Sequence, residues 1–466
     1  MVLAKEKNDE EAMKWLIRSV HLYPMNWGCW LEMTSLISQV EDVSSLHKYC
    51  RSSCAEKKTQ LNRISPHLPQ NILSFMFHLH TSLELYQSSP NLSSSLDQLL
   101  SIFPTSPFLL TCLALLAYHT KDFVTADSHF SHVLALHPYR LDSLDHYSNI
   151  LYVMNLRPKL SFLAHLCSSV DKFRPESCVV IGNYYSLLSQ HEKAVQYFRR
   201  ALTLDRSCLS AWTLMGHEYV ELKNTHAAIE SYRRAVDVNR RDYRAWYGLG
   251  QTYEILEMHA YSLWYYKRAA GLRPWDGKMW VAVGSCLQKM GRDLEGIKAL
   301  KRALLADSYY DAGVGSSFGS GGRDRGGTMD PEILLQIAGM YERLGDEEEA
   351  RAYMELCVAQ EEGASDHLEA SVINIHADSQ SSEDEPRPGV ITSVGGGGGD
   401  SNGTGVTAAT SKARMWLAKN AMRTGDYTRA MQLATELCQD GVEVEEAKAL
   451  LREVRVRLDV PGESSP

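Results

Sequence analysis

Trp212, Trp246 and Trp280 stand thirty-four residues apart, and that interval governs what the 466-residue chain can fold into. A unit of that length holds one pair of helices, too little to bury its own apolar face, so units must stack into an elongated array. The pattern around the tryptophans repeats with them. From Trp246 the order W-x2-L-G-x2-Y passes through Leu249, Gly250 and Tyr253, and Trp212 is followed by the near match Met215, Gly216 and Tyr219. The second half of each unit wants a small residue, a bulky one four later and another small one, with proline closing it. Ala194, Phe198 and Ala201 comply, as do Ala228, Tyr232 and Ala235, while Ala269 and Pro274 close the third unit.

This is the signature of the tetratricopeptide repeat. It predicts an all-α chain, an α-solenoid superhelix of tetratricopeptide repeats with low-complexity insertions. Steps of one period place units at 107–140 (Leu113, Ala114, Ala126, Phe130, Val133, Pro138), at 73–106 (Leu79, Leu92, Leu96, Leu99, Pro104) and at 27–60 (Trp30, Met33, Ile37, Leu46). The unit 141–174 is the weakest, with Pro158 near its inter-helix turn, and 61–72 reads as a short connector. Residues 1–26, with Ala12, Leu16 and Pro24 in phase, read as the second helix of a partial repeat, so the chain is expected to begin inside a unit.

In the other direction, 277–310 keeps Gly284, Leu287, Leu300 and Ala303, which completes a solenoid over 27–310. The glycine-rich stretch 311–330 reads as a flexible insertion. Asp330 as a cap and Pro331 in the first turn restart a helix, and Leu334, Ile337, Ala338, Tyr341, Ala350 and Met354 make a further repeat at 331–364. Residues 365–410, with SQSSEDEPRPGV and the glycine run 395–399, hold too few large apolar side chains to offset the entropy of ordering, and are expected to be disordered. A last repeat and a capping helix take 411–458 (Leu417, Ala418, Ala421, Ala430, Ala434, Leu437), ahead of a disordered tail at 459–466.

Gly248 and Gly250 could begin a phosphate cradle, but a dinucleotide fingerprint needs a preceding strand and a third glycine. Gly182, Gly216, Gly250 and Gly284 instead share one place in the period, where the first helix of a unit crosses the second. Trp212, Trp246, Tyr219, Tyr253, Phe198, Tyr232 and Tyr266 read as a core stripe. A net charge of −9 without a basic stripe speaks against a nucleic-acid partner. The longest apolar runs fall short of the ~20 residues of a membrane span. Ten cysteines without regular pairing, behind an N-terminus with no apolar core or cleavage site, point to the cytosol or nucleus.

Cys50 with Cys54, His78 with His80 and His129 with His132 lack the further partners of a zinc site. No metal, cofactor or catalytic residue is expected. Once the helical units are set aside, the remaining segments are too short to fold as a catalytic domain, so the chain is not expected to be an enzyme.

A stack of helix pairs makes a concave surface lined by the first helices. Their second, fifth, ninth and twelfth residues share a stripe: Glu176, Val179, Asn183, Ser186; Ser210, Thr213, His217, Val220; Arg244, Tyr247, Gln251, Glu254; Lys278, Val281, Ser285, Gln288. Packing does not require polar or aromatic residues there, which makes Asn183, His217, Tyr247, Gln251 and Glu254 binding candidates, with Glu218 and Glu221 adding negative charge nearby. Amides, an aromatic plane and carboxylates suit an extended peptide carrying arginine. A co-chaperone of this fold, which would need a basic clamp for a carboxylate, and a repeat-fused transferase are competing readings.

The stretches 178–202, 211–236 and 241–258 resemble the tetratricopeptide core of subunit eight of the anaphase-promoting complex, the cell division cycle protein 23 family, and 23–32, 137–153 and 445–454 are similar to its flanks. The resemblance implies a non-catalytic scaffold of a multi-subunit ubiquitin ligase that acts in mitotic progression, in the nucleus and in the cytoplasm in mitosis. It implies neighbouring complex subunits, including related repeat subunits, as partners, and an activator subunit whose basic motif enters the groove at Asn183, Tyr184, His217, Glu218, Tyr247, Gln251 and Glu254. Family members form a homodimer through N-terminal repeats, which would lie ahead of Met1. Ser381 and Ser382, before an acidic run, could be phosphorylated or belong to an inert linker.

Overall fold

The structure, a computed structural model, describes residues 9–36, 72–84, 90–313, 329–361, 405–440 and 444–459. Ile37, Leu46, Cys50, Cys54, Ser381, Ser382, the connector before Ile72, most of both insertions and the tail from 460 lie outside the described residues. Every regular element among the described residues is a helix.

The first compact unit ends at Leu256. It holds α1 (Asp9–Leu22), α2 (Trp27–Leu36), α3 (Ile72–Glu84), α4 (Pro90–Ile102), α5 (Pro107–His119), α6 (Phe123–Leu136), α7 (Leu144–Val153), α8 (Arg157–Val170), α9 (Pro175–Leu187), α10 (His191–Leu204), α11 (Leu209–Glu221), α12 (Thr225–Val238) and α13 (Tyr243–Ile255). From Glu257 the second unit holds α14 (His259–Leu272), α15 (Gly277–Lys289), α16 (Asp293–Gly313), α17 (Pro331–Leu344), α18 (Glu347–Ala359), α19 (Ala408–Thr424), α20 (Tyr427–Asp440) and α21 (Val444–Asp459).

Local chemistry explains the regularity of the pairs. The side chains of Asp122, Asn224, Asp242, Asp276 and Asp330 accept bonds from backbone N–H groups in the first turn of the helices they precede, where those donors have no partner inside the helix. Between the helices of a pair the chain reverses through a left-handed residue at the same place in each period: Lys121, Asn155, Ser189, Lys223, Glu257 and Gly291, then Gly345 and Gly425 in later pairs. Pro158, near the turn of the weakest unit, lies in the first turn of α8, where its missing N–H costs no helical bond.

Packing follows the expected phase. Phe198, Tyr232 and Tyr266 are buried, as are the small residues flanking them, Ala194, Ala201, Ala228, Ala235 and Ala269. Tyr232 shows why glycine is needed opposite: a Cβ on Gly216 would lie 2.5 Å from its ring, and a Cβ on Gly248, in the next pair, 2.6 Å from the same ring. Gly182 faces Phe198 and Gly284 faces Leu300 in the same way. The tryptophans do more than fill space. Trp30, Trp212, Trp246 and Trp280 each donate the indole N–H to the carbonyl six residues earlier, of Pro24, Arg206, Arg240 and Pro274, at 2.8 to 3.0 Å.

In the second unit the core crosses the glycine-rich insertion without a break. Ile297, Leu300 and Ala303 of α16 pack with Leu334, Ile337, Ala338 and Tyr341 of α17 and with Ala350 and Met354 of α18. The final helix closes the stack by burying Ala447, Leu450 and Val454 against Ala418, Ala421, Ala430 and Leu437. Two boundaries differ from the sequence expectation. Helix α16 runs on to Gly313, and α19 begins at Ala408, because Thr407 and Thr410 form a capping box that starts the helix inside the stretch expected to be disordered.

Candidate peptide-binding groove

The first helices of the later pairs in unit 1 lie side by side, with α7 against α9, α9 against α11 and α11 against α13. Their adjacency divides the predicted stripe in two. Val179, Asn183 and Ser186 of α9 and Thr213 of α11 are buried, because the neighbouring first helices cover them, so the stripe is not one continuous solvated lining. His217 and Gln251 are exposed, while Tyr247 and Glu254 are half-buried.

Asn183 belongs to the framework. Its Nδ2 donates to Ser148 Oγ at 2.8 Å and to Asn149 Oδ1 at 2.7 Å, which ties α9 to α7. Glu218 is buried with both oxygens engaged: Ser186 Oγ donates to Oε1 at 2.6 Å, and His191 Nδ1 lies 2.7 Å from Oε2. Tyr184 packs against the core around α6 to α8, with its ring 5.8 Å from that of Tyr185. These three were expected in the groove. Their contacts in the structure join neighbouring pairs.

The accessible part lies on α11 and α13. His217 Nδ1 is 2.8 Å from the Tyr232 hydroxyl, and the two rings meet edge to face. The ring opens to the groove yet is set deep among helices. That protein mass, and then the Arg244 guanidinium, lower its pKa to about 4, so it is neutral at neutral pH. Tyr247, Gln251 and Glu254 follow at spacings of four and three along one face of α13.

Sequence reasoning missed the contacts that reach beyond neighbouring pairs. Arg244 Cζ lies 5.3 Å from the centroid of the Tyr118 ring, which comes from α5. Arg241 Nη2 donates to the Thr34 carbonyl of α2 at 3.2 Å, and Ser210 Oγ donates to Asp145 Oδ2 at 2.8 Å. The signal for Tyr118 was available: two periods before Ser186, it occupies the twelfth position of its own first helix. No group of His, Cys, Asp and Glu side chains among the described residues could hold a metal ion, and none of the described helices is long and apolar enough to cross a membrane.

Known proteins match this arrangement. Residues 1–114 match the family described as anaphase promoting complex subunit 8 / Cdc23, and 175–208, 216–255 and 331–362 match tetratricopeptide repeat families. The chain is 40% identical over 456 residues to the anaphase-promoting complex subunit CDC23 of Saccharomyces cerevisiae, covering 98% of the chain and 64% of the relative. Over 215 residues it is 42% identical to anaphase-promoting complex subunit 8 of Dictyostelium discoideum, covering 46% of the chain and 33% of the relative. It thus spans less than two thirds of the length of each. A solved structure described as the APC/C hetero-tetramer Cut9-Hcn1 shares the fold, with a TM-score of 0.54 at 14% identity over 97% of this chain and 74% of that one. The period, the buried small residues and the likeness to the yeast protein along 98% of this chain agree: the chain is similar to members of the anaphase-promoting complex subunit 8/Cdc23 family.

Proposed function

We propose that the chain serves as a non-catalytic scaffold subunit of the anaphase-promoting complex ubiquitin ligase, holding neighbouring subunits, related repeat subunits among them, and receiving a basic activator segment in its groove. The observation that carries the reading is the identity to yeast CDC23 along nearly the whole chain, since it includes the repeats that build the groove. The complex-bound place of action, the nucleus and the mitotic cytoplasm, and pairing of two copies through N-terminal repeats belong to the same proposal.

At the groove, His217, Tyr247, Gln251 and Glu254 are the guest-facing candidates; Asn183, Tyr184 and Glu218 set the spacing of the helices that present them. A guanidinium can stack on a tyrosine ring and bond a carboxylate with two N–H groups, which a lysine cannot do. Two measurements test this. Tagged full chain from dividing cells should carry other subunits of the ligase with it; recovery of the chain alone rejects the scaffold role. Glu254→Lys should weaken capture of an arginine-bearing peptide about tenfold while leaving helical circular dichroism intact, and an unchanged affinity removes Glu254 from the groove. A co-chaperone would instead bind a peptide ending in a free carboxylate.

A further inference from the structure

We infer that Tyr118 is an arginine-binding platform of this groove, and that Arg244 occupies it as an internal stand-in for the guest. The inference rests on the proposed reading of the groove as a receiver of basic segments. Its starting point is a contact that a solenoid does not need. Repeats ordinarily touch only their neighbours, yet the Arg244 guanidinium on α13 lies over the ring of Tyr118 on α5, with three helix pairs between them in the chain. At 5.3 Å from the centroid, it is within the roughly 6 Å at which an aromatic face attracts a cation.

The contact is not required to place either helix. Asp242 caps α13 by accepting from the Arg244 backbone N–H at 3.1 Å and from Thr213 Oγ1 at 3.4 Å, and Arg241 ties the same segment to the Thr34 carbonyl. Tyr118 is held from its own side by Phe123 and His146, whose rings lie 6.1 and 6.4 Å away. Both members of the pair are half-buried, so the platform borders the groove and does not fill a core.

The charge balance points the same way. With His217 neutral, the Arg244 guanidinium is a fixed cation near both His217 and the Asp242 carboxylate. A guest arginine would therefore meet repulsion from Arg244 and find the best aromatic face taken. Displacing the internal guanidinium exchanges one cation–π contact for another, so it adds little affinity. A guest must bring further contacts to Tyr247, Gln251 or Glu254 to bind at all. Arg244 would thus act as a filter against isolated arginines.

The test is a titration of a fluorescein-labelled dodecapeptide of alternating arginine and serine into the full chain, followed by anisotropy. Arg244→Gln should tighten binding roughly three- to tenfold, the affinity equivalent of a partly exposed cation–π contact. Tyr118→Leu should weaken binding and cancel most of that gain in the double variant, whereas Tyr118→Phe, which keeps the ring, should preserve it. An equal gain with and without Tyr118 would mean that only net charge matters and would overturn the platform. Weaker or unchanged binding by Arg244→Gln, with helicity retained, would overturn the stand-in while leaving the groove reading in place. Failure of the peptide to bind either the unaltered chain or Arg244→Gln would reject both.

Discussion

At the scale of single residues, the chain is shaped by contacts in which one atom more or less decides the outcome. Tyr232 is wholly buried, Gly216 and Gly248 both approach its ring closely, and its hydroxyl is fixed by His217, so the ring has little room to yield. Gly216→Ala gains about 1 kcal/mol of helix propensity, but the added methyl would lie 2.5 Å from the ring. Overpacking of that kind costs about 1–3 kcal/mol, and with the ring buried and its hydroxyl held by His217 the upper part of the range applies. The substitution should lower the melting temperature; a rise would show that the ring has room to shift. Glu218 teaches a related lesson. Its position beside the stripe suggested a guest-binding carboxylate, but Ser186 and His191 use both its oxygens. A spacing rule reports which face a residue occupies and is silent about a partner in the next pair.

At the scale of the helix pair, the period extends to the backbone as well as to side chains. Arg199 and Arg233 donate to Tyr219 and Tyr253 of the next first helix, at 2.6 and 2.8 Å, and Lys301 donates to Tyr341 at 2.9 Å. These bonds lace each second helix to its neighbour. The inter-helix turns carry the opposite feature, a left-handed residue that is often not glycine. Lys223, with φ 58°, is exposed, so its side chain does little to justify the conformation. Left-handed backbone costs an L-residue roughly 1–2 kcal/mol, and glycine returns part of that through its more flexible unfolded state. Lys223→Gly should therefore raise the urea midpoint by the equivalent of about 0.5 kcal/mol, and Gly345→Ala, at the same place with φ 87°, should lower it. A lowered midpoint for Lys223→Gly would mean that the lysine has a role the turn geometry does not reveal.

At the scale of the whole chain, the architecture was legible because a period of buried small and large residues is a local property repeated many times. Gly216, Ala228, Tyr232 and Ala235 specify their pair almost by themselves. The groove was less legible, because it depends on which first helices meet across turns of the stack: the spacing alone could not pair Arg244 with Tyr118 or cover Asn183 with Ser148. The end of the second insertion was misjudged by composition, since a threonine pair can cap a helix in a stretch poor in apolar residues. The energetics should follow the same division into local units. In a stacked array, stability is close to a sum of pair and nearest-neighbour contributions, so damage is expected to stay near its source. Leu300 is wholly buried where α16 meets α17 and α18, and Leu300→Ala should cost about 2–5 kcal/mol locally. Hydrogen exchange should then quicken in α15 to α18, while α9 to α12 in the first unit keep their protection. Uniform loss of protection through all of these helices would mean that they do not unfold as local units.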